Sequence, residues 1–138
     1  MSKLTMTKRA ADRGVAIIDL SGNITLGGGN IFLKQTLRTL AEQNDKKVLL
    51  NLANVVYIDS SGLGELVAGY TAISKAGGEL KLLHLTDRVK DLMMITKLLT
   101  VFDAYDDEAI AVAAFKQDQS EYITGPLDAD FAQADGVL

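Results

Sequence analysis

The chain has 138 residues, 48% of them apolar, and a formal net charge of −4. That is enough chain for one domain with its own core. The acidic balance, with Lys and Arg never clustered beyond adjacent pairs, argues against a non-specific nucleic-acid binder. Cysteine is absent and histidine occurs once, at His84, which excludes disulfides, thiolate catalysis, zinc–thiolate centres and multi-histidine metal sites.

The segment Met1–Arg9 lacks the apolar core of a secretion signal, and no apolar run approaches membrane-spanning length, so a cytoplasmic protein without membrane association is expected. Leu4 to Ala10 alternates and reads as a first strand. Asp12-Arg13-Gly14 is a turn signal, and Val15 to Leu20 reads as a second strand, antiparallel to the first. Gly27-Gly28-Gly29 is a loop, with Asn30 the expected N-cap of a helix that places Phe32 or Leu33, Leu37, Leu40 and Ala41 on one face. Asn44-Asp45 should end that helix.

Val48 to Leu52 is the next strand, and Val55 to Ile58 is either its end or an extended link. Leu63, Leu66, Val67, Tyr70 and Ile73 mark a second helix, stopped at Gly77-Gly78. Leu80 to Leu85 is a strand. Thr86 or Asp87 caps a third helix with Val89, Leu92, Met93 and Thr96 on one face. Val101-Phe102 is predicted as a short last strand. Asp106-Asp107-Glu108 opens a final helix carrying Ile110, Val112, Ala113, Ala114 and Phe115, with its acids complementing the helix dipole. The order ββαβαβαβα defines an α/β domain over residues 1–116: a mixed, mostly parallel sheet with an antiparallel N-terminal edge hairpin, and four helices. Residues 117–138 read as an acidic tail, either disordered or docked in part near Tyr122-Ile123 or Leu127–Phe131.

The chemically informative stretch is Tyr57-Ile58-Asp59-Ser60-Ser61-Gly62-Leu63-Gly64, where an apolar strand ends and a helix begins. Capping explains part of it, since Asp and Ser are favoured N-caps worth about 1 kcal/mol. Capping needs one acceptor, however, and three sit in a row. Two glycines in a first turn also weaken a helix by about 1 kcal/mol each. A helix N-terminus also suits a phosphate, because its free N–H groups and partial positive charge favour anions. A hydrolase is disfavoured: a nucleophile elbow would need glycine at residue 58, which is Ile58, and the one histidine lies in an apolar strand. The Gly27–Gly29 loop lacks the Gly-Lys-[Ser/Thr] ending of a phosphate loop, and Leu33 stands where a dinucleotide fingerprint needs its third glycine. The Asp87/Asp91 and Asp106-Asp107 carboxylates fall in first turns, where the dipole accounts for them. Met93-Met94 reads as core rather than as an interaction surface.

From Asn51-Leu52 through the Asp-Ser-Ser-Gly-Leu-Gly run, then at Gly77-Gly78, Leu80–Leu83, Val89–Leu99 and Val101-Phe102, the chain resembles the STAS domain, and within it the bacterial anti-sigma-factor antagonists. The resemblance covers residues 4–115. It implies a non-enzymatic switch without cofactor or metal, binding an anti-sigma factor that is also a GHKL-type serine kinase. It implies further that the kinase phosphorylates the first serine of the pair, Ser60, and that a PP2C-type phosphatase resets it. The implied partner-binding residues are Thr25, Asp59, Ser60, Ser61, Gly62, Leu63 and Gly64, with the glycines letting the kinase approach Ser60. The chain departs from the family at Gly22-Asn23-Ile24-Thr25, where Gly-Glu-Leu-Asp is usual: Thr25 holds the position of an acid expected near the phosphoacceptor. The alternatives are a STAS scaffold subunit of a signalling assembly, a transporter accessory and, in a different class, a small nucleotide-binding or hydrolytic enzyme using Ser60. A weak homodimer is left open.

Overall fold

The computed structural model describes residues 3–43 and 46–116. Five strands, β1 (Thr5–Ala10), β2 (Ala16–Ile24), β3 (Lys47–Ile58), β4 (Glu79–Leu83) and β5 (Ala104–Tyr105), lie side by side in chain order. β1 and β2 are antiparallel and the rest are parallel. Helices α1 (Gly29–Glu42), α2 (Ser60–Lys75) and α3 (Asp87–Ile95) fill the three parallel crossovers, and α4 (Glu108–Ala114) follows β5. Right-handed crossovers that always step in the same direction put their helices on one face of a sheet. Accordingly Leu33 and Leu37 of α1, Leu63, Leu66 and Ile73 of α2, and Val89 and Met93 of α3 form one core with Ile18, Leu20, Val48, Leu50 and Leu82.

The opposite face is left to α4. Ala111, Val112 and Phe115 cover Val15, Ile17, Leu49 and Leu83 in a smaller second core. Polar residues finish that face. Asn51 donates to Asp19 Oδ1 at 2.8 Å and accepts from the Ala53 amide at 3.1 Å, so a polar residue inside β3 is satisfied. Lys81, 6% exposed, reaches Asp103 at 2.9 Å and lies over the rings of Phe115 and Tyr105. Burial alone disfavours its ammonium, but Asp103, Tyr105 and Glu79 outweigh that and hold its pKa above the ordinary lysine value.

The hairpin, the mixed sheet, the Thr86 cap (2 residues before Arg88, accepting from the Val89 amide at 3.3 Å) and the Gly77-Gly78 stop follow the sequence reading. Residues 47–58 form one continuous strand, so of the two alternatives for Val55–Ile58 the strand end is the one observed. Three details differ. Asn30 is not an N-cap: α1 begins at Gly29, and the Asn30 amide is satisfied by the Thr25 carbonyl at 3.1 Å, so backbone closes that turn instead of a side chain. Val101-Phe102 is not a strand. Phe102 is core, edge-to-face with Tyr70 at 5.4 Å, and the last strand forms where Ala104 meets Leu82 in register. A two-residue apolar run carries no period, so sequence alone does not separate the two cases. In α4 and α3, Ile110 and Met94 are exposed, while Ala111 and Met93 take the buried positions. The expected helix break at Asn44-Asp45 and the tail at 117–138 lie outside the described residues.

Arg9 fastens α4 to the hairpin edge. Its guanidinium meets Asp19 at 2.5 Å and Glu108 at 2.6 Å. Those hydrogen bonds from Arg9 hold both carboxyls below their ordinary pKa range. All three side chains are partly exposed, so Arg9→Ala should cost about 1 kcal/mol or less at neutral pH. Because the folded-state pKa values are depressed, this contribution is complete above the unfolded carboxylate range, near pH 4, and is lost as pH falls through the folded values. Urea unfolding should therefore show a gap between wild type and Arg9→Ala that is flat from about pH 5 to 8 and closes below about pH 4.

Candidate functional site

In a parallel sheet the carboxyl ends of the strands and the N-termini of the following helices meet at one edge, where ligands and partners are usually received. Here that edge joins the end of β2 with its loop to α1, the β3–α2 junction, and the β4–α3 turn. Ser60 is the first residue of α2 and is exposed. No hydrogen bond engages its hydroxyl among the described residues. The capping is done by Asp59 alone: its Oδ1 accepts from the Gly62 amide at 2.9 Å. Among the described residues, the surplus of polar groups at the junction is thus resolved into one cap and two serine hydroxyls without a hydrogen bond, of which Ser60 is exposed and Ser61 half-buried.

Asp59 has a second attachment that spacing could not show. Its Oδ2 accepts from the backbone amide of Leu26 at 2.9 Å, thirty-three residues away in the chain. One carboxylate therefore joins the β2–α1 loop to the start of α2. The amides of Leu26 and Gly62 hold the Asp59 carboxyl below the usual carboxylate range, because both stabilise its charged form. The Asp59 amide in turn donates to the Ile24 carbonyl at 3.3 Å. Thr25, half-buried, sits between these two attachment points.

The two glycines of the motif have different surroundings. Gly62 is buried, and a Cβ there would run into the carbonyl oxygen of Ile24. Its close approach is to β2 of the same domain, not to a partner. Leu63, 3% exposed, is likewise core and presents nothing to the surface. Gly64 is exposed with open space where a Cβ would be, one helical turn from Ser60 on the same face. Of the residues expected to bind a partner, Ser60 and Gly64 are fully at the surface, Thr25, Asp59 and Ser61 are half-buried, and Gly62 and Leu63 are structural.

Leu26 is the residue that motif reading misses. It is 74% exposed, at the tip of the loop fastened by Asp59. The signal available in the sequence was an isolated leucine between Thr25 and three glycines, which no strand or helix pattern claims. Nearby on the edge, Tyr57 is 42% exposed, and the Arg88 guanidinium lies over its ring at 5.3 Å. His84 directly follows β4, its amide donates to the Tyr105 carbonyl at 2.8 Å, and no hydrogen bond joins it to Ser60 among the described residues. Asp107 caps α4, accepting from the Ile110 amide at 2.9 Å, so that acid has the helix-terminal role expected for it. Among the described residues, no three His, Asp or Glu side chains converge as metal ligands.

The STAS domain model matches residues 8–111, and the chain belongs to the STAS domain family. It is 29% identical over 100 residues to the anti-sigma F factor antagonist of Paenibacillus polymyxa, covering 72% of this chain and 86% of that one. It is 36% identical over 87 residues to the anti-sigma-B factor antagonist of Bacillus subtilis (strain 168), covering 62% of this chain and 77% of that one. An anti-sigma factor antagonist from Mycobacterium paratuberculosis shares the fold with a TM-score of 0.72 at 22% identity, covering 81% of this chain and 93% of that one. So does the Bacillus cell fate determinant SpoIIAA in its phosphorylated form, with a TM-score of 0.63 at 16% identity, covering 79% and 97%.

The contrast between the glycines is directly measurable. Gly62→Ala should destabilise the domain by about 1–3 kcal/mol, through backbone crowding that no rotamer relieves. Gly64→Ala, in an open helical position, should be neutral or stabilising by up to about 1 kcal/mol. Urea unfolding of the two variants checks this, and equal losses would refute the assignment of Gly62 to internal packing.

Proposed function

We propose that the chain is a non-catalytic regulator, an anti-sigma-factor antagonist that works by partner switching, with Ser60 as the phosphoacceptor. The observation that carries this is the free, exposed Ser60 hydroxyl on the first residue of α2, beside a carboxylate that already supplies the cap. A serine needed for capping would be engaged, and this one is not. The family relationship and the antagonist names of the relatives support the same reading.

The partner is an anti-sigma factor that is also a serine kinase of the GHKL type. When it binds this domain it releases its sigma factor. It then transfers the γ-phosphoryl group of ATP to Ser60: an ester bond forms at Oγ, the β–γ bridge of ATP breaks, ADP leaves, and the hydroxyl proton passes to a base on the kinase. The phosphate adds about −1.5 to −2 charges. At the first turn of α2 the helix dipole tolerates that charge, so the fold survives. In an interface the same charge must be desolvated beside Asp59, which is already ionised, and the partner is expelled. A PP2C-type phosphatase hydrolyses the ester and restores binding. Such a switch operates in the cytoplasm, and among the described residues no helix is long and apolar enough to cross a membrane. Thr25, Asp59, Ser60, Ser61 and Gly64 supply the partner surface, with Gly62 and Leu63 supporting it from within.

Capture from native lysate, using wild type, Ser60→Ala and Ser60→Asp as baits, tests the proposal. Wild type and Ser60→Ala should recover a GHKL-type kinase, and Ser60→Asp should recover at least about tenfold less, a difference of about 1.4 kcal/mol in binding. Recovery of the kinase in equal amounts by all three would exclude a switch at Ser60.

A further inference from the structure

We infer that Asp59 is a latch that carries the phosphorylation state of Ser60 to the β2–α1 loop, and that Leu26 on that loop is an apolar contact for the same anti-sigma-factor partner. The inference rests on Ser60 being the phosphoacceptor, as proposed above.

Asp59 uses one oxygen for the Gly62 amide and the other for the Leu26 amide, both at 2.9 Å. The loop it holds has few other fastenings. The Asn30 amide reaches the Thr25 carbonyl, and the Phe32 amide reaches the Gly28 carbonyl. At its base the side-chain oxygens of Asn23 and Asn30 are buried without a hydrogen-bond partner. Gly27 has φ +99°, a backbone state that glycine enters and leaves at little cost. A segment held by so few bonds opens at low free energy. Among the described residues, the bond from Leu26 to the Asp59 carboxylate is the side-chain hydrogen bond that joins the Leu26 turn to the start of α2; the Asp59 amide holds Ile24, at the end of β2, separately.

A phosphate on Ser60 attacks that tie from two sides. It stands one residue from Asp59 and repels the carboxylate. Its three acceptor oxygens also compete for the same first-turn amides of α2, which favour the anion of higher charge. Once Asp59 gives up Gly62 it no longer has a fixed orientation toward Leu26. Leu26 is 74% exposed in the latched state, on the edge that also presents Ser60. An interface that reads Ser60 therefore extends over Leu26, and unlatching withdraws an ordered apolar contact just as the phosphate adds charge. The switch thus has two components, electrostatic expulsion and loss of a preorganised anchor.

The test uses the full chain carrying phosphoserine at residue 60, installed by encoded incorporation so that no kinase is needed, compared with the unmodified chain. Amide exchange read by NMR should be at least about tenfold faster at Leu26 in the phosphorylated chain. Exchange should be unchanged at Leu63, whose amide donates to the Asp59 backbone carbonyl at 2.9 Å rather than to its side chain. Asp59→Asn, which keeps one acceptor oxygen, should show fast Leu26 exchange in both forms. Leu26→Ala in the unmodified chain should weaken binding of the captured kinase at least about tenfold. Unchanged Leu26 exchange with loss of kinase binding would overturn the latch and leave the Ser60 switch standing. Faster Leu26 exchange with full kinase binding would support the latch and overturn the switch. Full kinase binding by Leu26→Ala would remove Leu26 from the interface.

Discussion

The order of the sheet governs most of this molecule. Because each parallel strand is laid down beside the one before it, every crossover steps the same way, and the right-handed rule sends α1, α2 and α3 to a single face. Two consequences follow. The helix N-termini line up along the carboxyl edge of the strands, where the β2–α1 loop and the start of α2 come within reach of one carboxylate. The other face is left bare, so that one short helix of small residues, held by Arg9 and by Ala111, Val112 and Phe115, must close it. The site and the clamp are separate answers to the same topology.

At the site, a single ionised group performs two tasks. Asp59 caps α2, which leaves Ser60 free, and it fastens the loop that carries Leu26. Charge-assisted hydrogen bonds of this kind are about twice as strong as neutral ones. They are also sensitive to a second negative charge arriving nearby, because the competing anion seeks the same donors. A neutral cap such as serine would stabilise the helix comparably without coupling it to anything. The acid makes the junction responsive as well as stable.

Much of the fold was legible in the sequence because local signals agreed with the global pattern: turn residues at Asp12–Gly14, apolar runs for the buried strands, Thr86 as a cap and Gly77-Gly78 as a stop. The exit of β3 was open between a strand end and a link, and the pairing of Tyr57 and Ile58 with Asn23 and Ile24 of β2, which no local pattern records, makes it strand. The misses have specific causes. The last strand was misplaced because its position is set by pairing with β4, which no local pattern records. Asn30 looked like a cap because its residue type is right, but the Thr25 carbonyl had already closed that turn. Of the site, Asp59 and Ser60 were legible as chemistry at a strand–helix junction. That Gly62 faces inward and Gly64 outward follows only from the phase of α2 against β2. The bond from Asp59 to Leu26 joins the starts of two successive crossovers, thirty-three residues apart, and has no sequence signature.

The central claim is that Ser60 carries a reversible phosphate in the cell. The most direct measurement is site-resolved mass spectrometry of the chain isolated from its native cells with phosphatases inhibited. Two populations are expected, unmodified and singly phosphorylated, with the phosphate localised to Ser60. A chain found only unmodified under every growth condition, or one phosphorylated at Ser61 with Ser60 untouched, would contradict it.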